Sequence, residues 1–198
     1  MGGREMKHLD KGIKWEGHLE ALFKMYELVR TLHLESKLSD RIVGTSLGYM
    51  LSSSTCSWKV VGITPSALGE FRKQEFRNKP SGKPRVERGH FHHRRDVFGQ
   101  LLSSNFSDSA QLLKYWRDHD ETVLCLTNEN AHVGSLRYFP IQQAIDIERP
   151  YFANAKTSYS FHPNYEGEYL KQLDAQVEAN EVKLTTRLEQ LGSGAVPR

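Results

Sequence analysis

Apolar residues near the start of the chain recur at helical spacing. The stripe that they form consists of Trp15, Leu19, Leu22, Tyr26 and Val29. Charged residues fill the positions between them, which predicts a helix over residues 15–34. Ser39 and Asp40 then supply an N-cap for a second helix that runs to about Leu51. We expect the two helices to form a helical hairpin within residues 15–55.

Three short runs in the middle of the chain have the composition of β-strands. They are Trp58 to Ile63, Arg85 to His90 and Thr122 to Thr127. Helical segments predicted at 65–76, 96–102 and 108–116 separate them. The pattern predicts an α+β fold with a small central sheet, framed by N-terminal and C-terminal amphipathic helices.

The helical pattern returns near the end of the chain, over residues 165–191. Leu170, Val177, Leu184 and Leu191 are spaced seven apart. We expect this helix to pack on the domain, and a homodimer formed through it is the alternative. The expected organisation is a single α+β domain over 1–191, with its core in 56–162 and a flexible tail at 192–198.

Composition excludes several classes of protein. The chain has 198 residues, 38% of them hydrophobic, and a mean hydropathy of −0.59. No apolar stretch approaches the roughly 20 residues that a membrane-spanning helix needs, and no secretory signal pattern follows Met1, so we expect a cytoplasmic protein with no membrane partner. Cys56 and Cys125 are the only cysteines and do not form a CxxC pair, which excludes a disulfide framework and a zinc knuckle.

Positive charge is concentrated in one segment of the chain. Residues 71–95 contain nine lysines and arginines against two glutamates, a local charge of +7, whereas the other residues sum to −4. Such a segment is typical of contact with nucleic-acid phosphates, and a solvated basic loop is the alternative. The expected phosphate contacts are Arg77, Lys79, Lys83, Arg85, Arg88, Arg94 and Arg95.

Three histidines, at positions 90, 92 and 93, lie within four positions of this segment. If the segment is extended, His90 and His92 point to one face and His93 to the other. Neutral imidazole can act as a base or bind a metal ion, and nearby arginines can hold a phosphate. The cluster therefore favours metal-assisted hydrolysis of phosphodiester bonds.

A second group of polar residues directly follows the predicted strand at 122–127. It contains Asn128, Asn130 and His132. If this strand pairs with the strand at 85–90, amide and imidazole groups would approach the three histidines. An Asn cap on a short surface helix is the alternative interpretation.

These two segments together resemble the HNH family of endonucleases, also called ββα-metal nucleases. In that family a first strand ends in a histidine base, often beside a metal ligand. A second strand then leads into a helix that carries an amide residue and a further ligand. The resemblance covers residues 87–132 and implies a nuclease that uses Mg²⁺ or Mn²⁺, with another divalent metal as an open alternative.

The resemblance also implies roles for individual residues. His92 and His93 imitate a ligand followed by the base, while His90 is the rival base. Asn130 corresponds to the amide residue, and His132 to the second ligand.

The leading functional hypothesis is therefore a divalent-metal-dependent endonuclease that hydrolyses DNA, of restriction or mobile-element type. RNA remains an open alternative substrate. The second hypothesis is a non-catalytic nucleic-acid-binding protein that uses the basic segment 71–95. A distant third is a serine hydrolase, because Gly44 to Gly48 matches G-x-S-x-G around Ser46, although no strand precedes the motif.

Overall fold

The computed structural model describes residues 15–52, 59–92, 94–141, 151–152, 154–155, 158–187 and 189. Its α-helices are α1 (Trp15–Leu34), α2 (Asp40–Ser52), α3 (Pro65–Lys73), α4 (Arg94–Ser103), α5 (Ser109–His119) and α6 (Glu168–Glu178). Its strands are β1 (Lys59–Ile63), β2 (Val86–His90), β3 (Glu121–Leu126), β4 (Phe139–Pro140), β5 (Asn154–Ala155) and β6 (Ser158–Tyr159). A 3₁₀ helix spans Asn130–Ser135, and a π-helical turn spans Pro163–Gly167. The predictions made for His93, for Cys56 and for the tail at 192–198 concern residues outside these ranges.

The elements confirm the predicted α+β class, with helices and a small mixed sheet. The chain divides into two compact units. The first contains Met1–Thr55 and Arg95–Asp118, and the second contains Cys56–Arg94 and His119–Arg198. The expected single domain over 1–191 stays a prediction.

The first unit is built from helices, and the predicted hairpin of α1 and α2 is present in it. Its buried core consists of Phe23, Tyr26, Val43, Leu47, Val97, Leu101, Leu102, Leu112 and Trp116. The Tyr26 hydroxyl donates a buried hydrogen bond of 2.9 Å to the Leu101 carbonyl oxygen. A buried hydroxyl without a hydrogen-bond partner would cost free energy. This bond therefore allows the large side chain of Tyr26 to lie in the core.

The G-x-S-x-G motif lies inside helix α2 of this unit. A nucleophile elbow needs a strand that turns sharply into a helix, and Ser46 is within a continuous helix instead. A Cβ atom at Gly44 or Gly48 would lie 3.6 or 3.5 Å from the Phe98 ring. Both distances are ordinary van der Waals contacts, so Phe98 of α4 packs beside these two positions of α2.

The second unit contains the four-stranded sheet, in the order β2-β3-β1-β4. Strand β3 is parallel to β1 and antiparallel to β2, and all six of its residues are buried. Thr64 ends β1 and caps α3, because its hydroxyl accepts a 3.2 Å hydrogen bond from the Ala67 amide. One face of the sheet is covered by apolar side chains of α3 and α6, including Phe71 and Leu170.

The C-terminal helix is shorter than the predicted segment 165–191. Helix α6 ends at Glu178, and Asn180 then adopts a left-handed conformation with φ of 59°. The Glu181 backbone amide donates a hydrogen bond of 2.9 Å to the Gln176 carbonyl oxygen, and this bond completes a helix-terminating turn. Leu184 therefore lies beyond the helix, so the heptad pattern does not continue on one helical face. The proposed homodimer contact through 165–191 stays a prediction.

None of the helices in the described ranges is long and apolar enough to cross a membrane.

We predict that the thiol of Cys125 is unreactive in the folded protein. Burial raises its pKa to about 12, and the carboxylates of Glu129 and Glu87 act in the same direction. The thiolate fraction at pH 8 is then lower than that of an ordinary thiol by about a thousandfold. In a Cys56→Ser variant, a thiol reagent should modify the protein only after urea unfolds it. Rapid modification before unfolding would contradict this expectation.

Candidate functional site

The pairing of β2 with β3 determines which polar residues come together in the second unit. The antiparallel register runs from Val86 opposite Leu126 to His90 opposite Thr122. Just beyond the end of β2, the Phe91 amide donates a hydrogen bond of 3.3 Å to the Glu121 carbonyl oxygen. Residues that follow β2 therefore lie beside residues that precede or begin β3.

Histidine and acidic side chains converge at this junction. We call His90, His92, His119, Asp120 and Glu121 the histidine–acid cluster. Within it, His90 Nδ1 lies 3.5 Å from Asp120 Oδ1, and the side chain of Asp120 is only 2% exposed. A buried carboxylate beside one ring nitrogen fixes the orientation of an imidazole.

His92 and His119 form the second pair in the cluster, with ring centroids 5.6 Å apart. Burial lowers the pKa of His92, and the positive charges of His119 and Arg187 act in the same direction, whereas Glu121 opposes them. The lowered pKa favours the neutral form of this imidazole. A neutral imidazole has a nitrogen lone pair available to accept a proton or bind a metal ion.

Arg187 brings a positive charge to the cluster from the C-terminal part of the chain. Its guanidinium forms an ion pair with Glu121, and both side chains are less than 15% exposed. The guanidinium carbon also lies 5.5 Å from the centroid of the Phe91 ring. Arg187 therefore lowers the pKa of His92 and also balances the negative charge of Glu121.

The 3₁₀ helix lies against β2, but on the face that His90 does not share. The side-chain amide of Asn130 donates a hydrogen bond of 2.6 Å to Glu87 Oε1. A Cβ atom at Gly89 would lie 2.7 Å from Asn130 Oδ1. Because strand side chains alternate, Glu87 and Gly89 belong to one face and His90 to the other. Asn130 therefore contacts β2 at Glu87, on the face opposite His90, and its predicted catalytic role stays a prediction.

His132, the predicted second metal ligand, is exposed on the 3₁₀ helix. Within the described ranges, no three His, Cys, Asp or Glu side chains are arranged to hold a metal ion. The described residues therefore do not form a ligand set, and the assignment of His92 and His132 as ligands stays a prediction. His93 and the side chains of Arg94 and Arg95 lie outside what the structure describes, so their predicted roles also stay predictions.

Two of the residues expected to contact phosphate, Arg88 and Lys79, lie against other parts of the protein instead. Arg88 is buried on β2, at 6% exposure. Lys79 Nζ donates a hydrogen bond of 3.2 Å to the Tyr159 carbonyl oxygen and lies 3.8 Å from the centroid of the Tyr159 ring. Burial, followed by the charge of Arg88, lowers the pKa of Lys79. Arg88 is thus enclosed within the unit and Lys79 is half-buried, and the predicted phosphate contacts of both residues stay predictions.

The other described cations of the expected set are exposed. Arg77 forms a 3.3 Å ion pair with Glu75, and both side chains are largely in solvent, so this pair is weak. Lys83 and Arg85 are exposed in the loop that precedes β2. These two residues remain available for contact with a phosphate backbone.

The sequence interpretation missed His119, Asp120, Glu121 and Arg187. The first three could have been found by extending the antiparallel register past His90, which places the residues before Thr122 opposite those after His90. Arg187 has no comparable local signal, because it reaches the cluster only through the tertiary path of the C-terminal segment.

The chain matches no protein-family model, and the comparisons with curated proteins and with solved structures found no match. The resemblance to HNH endonucleases therefore depends on the residues themselves.

We predict that Gly89→Ala disrupts the packing of the 3₁₀ helix on β2. The added Cβ would lie 2.3 Å from Val133 Cγ2 and 3.0 Å from Cys125 Sγ. Overpacking of this kind lowers the free energy of unfolding by about 1–3 kcal/mol, which urea titration measures. The control is Gly82→Ala, whose Cβ meets no atom within 4 Å. Equal stability of the two variants would contradict the described packing.

Proposed function

We propose that the protein is an HNH-like endonuclease that hydrolyses phosphodiester bonds in DNA. The observation that carries the proposal is the histidine–acid cluster at the end of β2. It places imidazoles and carboxylates beside an antiparallel strand pair that a short helix packs against. The order of strand, strand and short helix along the chain is similar to that of the HNH family, and the short helix packs on the face of β2 opposite His90.

Among the described histidines, we assign the general base to His92. Its side chain is half-buried, whereas that of His90 is only 16% exposed. The lowered pKa of His92 keeps the ring neutral and able to accept a proton. His92 would take a proton from water as the water oxygen attacks phosphorus, and the bond from phosphorus to the leaving oxygen would break.

The neighbours of His92 have supporting roles in this proposal. Asp120 orients His90, which is the last residue of β2. Arg187 forms an ion pair with Glu121, and both of these groups act on the pKa of His92. The family resemblance instead implies His93, which directly follows His92 in sequence, as the base, with His90 as its rival and His92 as a metal ligand.

Mg²⁺ or Mn²⁺ is the cofactor that we propose for this activity. Mg²⁺ is often held by one or two carboxylates together with water and substrate phosphates. The described residues alone do not form a ligand set for such an ion.

The proposal is tested by incubating the purified protein with supercoiled plasmid DNA and, separately, with single-stranded RNA. We expect nicking of the plasmid that needs Mg²⁺ or Mn²⁺ and stops in EDTA. His92→Ala should reduce the rate by about 10²–10⁴-fold, the usual contribution of a general base. His162→Ala is the matched control, since this histidine is exposed in the same unit and outside the cluster.

Three further variants locate the reaction. Activity that survives His90→Ala, His92→Ala and His93→Ala alike would exclude the cluster as the site. Activity lost in His132→Ala but retained in His92→Ala would move the site to the 3₁₀ helix. Circular dichroism of each variant distinguishes loss of chemistry from loss of fold.

The second candidate function is nucleic-acid binding without cleavage. Exposed Lys83 and Arg85 support it, because they lie in a loop of the basic segment 71–95. It predicts retention of DNA that weakens steeply with salt and no nicking with any metal. Replacing both residues by glutamine should weaken binding and reduce its salt dependence.

A further inference from the structure

An open cavity of about 710 Å³ lies within the first unit. It is bordered by the end of α1, the first half of α2 and the second half of α4. Lining residues that matter for its chemistry are Leu34, Arg41, Gly44, Phe98, Gly99 and Leu102. Its volume falls within the range of about 300–1,000 Å³ that is typical of small-molecule sites.

Two helical glycines leave space in this cavity. Glycine within a helix costs about 1 kcal/mol relative to alanine. At Gly99 an added Cβ would meet no atom within 4 Å, and at Gly44 it would make ordinary contact with Phe98 at 3.6 Å. Neither position needs glycine to avoid a clash. Their small size instead keeps the walls of α2 and α4 open.

The polar groups of the cavity are suited to a single anionic group. Arg41 is the one lining residue with a permanent charge, and none of the described lining residues is acidic. The hydroxyls of Thr45 and Ser103 donate to the carbonyl oxygens of Arg41 and Gln100, at 2.8 and 3.0 Å. Their hydrogens are therefore already hydrogen-bonded within the helices. Arg41 supplies the permanently charged donor of the lining, which also contains the imidazole of His33.

The remaining walls are apolar and partly uncovered. Leu34 is 61% exposed, which makes it one of the large exposed hydrophobic residues of the described chain. With Phe98 and Leu102 it forms an apolar wall of the cavity that also contains Arg41. A ligand with an apolar body would cover Leu34 and gain the free energy of burying that surface.

We propose that this cavity binds an amphipathic monocarboxylate. The carboxylate pairs with the Arg41 guanidinium, and the hydrocarbon chain lies against Leu34, Phe98 and Leu102. Such a site is independent of the proposed nuclease activity, since all of its lining residues belong to the first unit.

The experiment is calorimetric titration of the full chain with decanoate, below the critical micelle concentration. We expect saturable binding at one site. Gly99→Leu places a side chain in the open space and should abolish binding. The matched control is Gly69→Leu, on helix α3, where an added Cβ also meets no atom within 4 Å. This control should bind decanoate as the unmodified protein does.

Arg41→Gln tests the charge pairing. Loss of a charged hydrogen bond should weaken decanoate binding by about tenfold or more, and decanol should bind the unmodified protein more weakly than decanoate. Thermal unfolding verifies that each variant folds, and Gly99→Ala serves as a milder change if Gly99→Leu does not fold. Unsaturable heats, unchanged binding in Gly99→Leu, or equal binding of decanol and decanoate would overturn the proposal.

Discussion

The pairing of β3 with its two neighbours is the constraint on which the second unit depends. Every residue of β3 is buried, so each of its faces must be covered. Leu124 and Leu126 contribute to the apolar cluster with α3 and α6, whereas Val123 and Cys125 contribute to the cluster that includes Val133 of the 3₁₀ helix. A shift of one residue would exchange these two faces. The same register brings the histidine–acid cluster together, which makes the candidate chemistry a consequence of core packing.

Much of the fold could be predicted because its elements have local signals. The stripe of α1, the cap at Thr64 and the apolar run of β3 each fix an element within a few residues. The site was less predictable, because it depends on contacts between distant parts of the chain. His90 and Thr122 are paired across the whole of α4 and α5, and Arg187 reaches the cluster from the far end of the sequence.

The charge of a segment also proved to be an incomplete guide to its surface. Arg72 donates two hydrogen bonds, of 2.8 and 2.6 Å, to the carboxylate of Asp174 on α6. Lys73 lies 2.6 Å from Glu70, and Arg88 is buried. Arg72 and Lys73 are therefore paired with carboxylates although more than half of each side chain is exposed, and Arg88 is enclosed. Only tertiary structure reveals which positive charges remain for a partner.

The chain passes between the two units three times, between residues 55 and 56, 94 and 95, and 118 and 119. Neither unit is therefore one continuous stretch of sequence. A gene fragment that begins at residue 56 would encode Leu101, Leu112 and Trp116 without the apolar side chains of α1 and α2 that cover them. Such a fragment would expose this core to water and tend to aggregate. Separate expression of either unit thus requires joining its two segments directly, since truncation from either end divides a core.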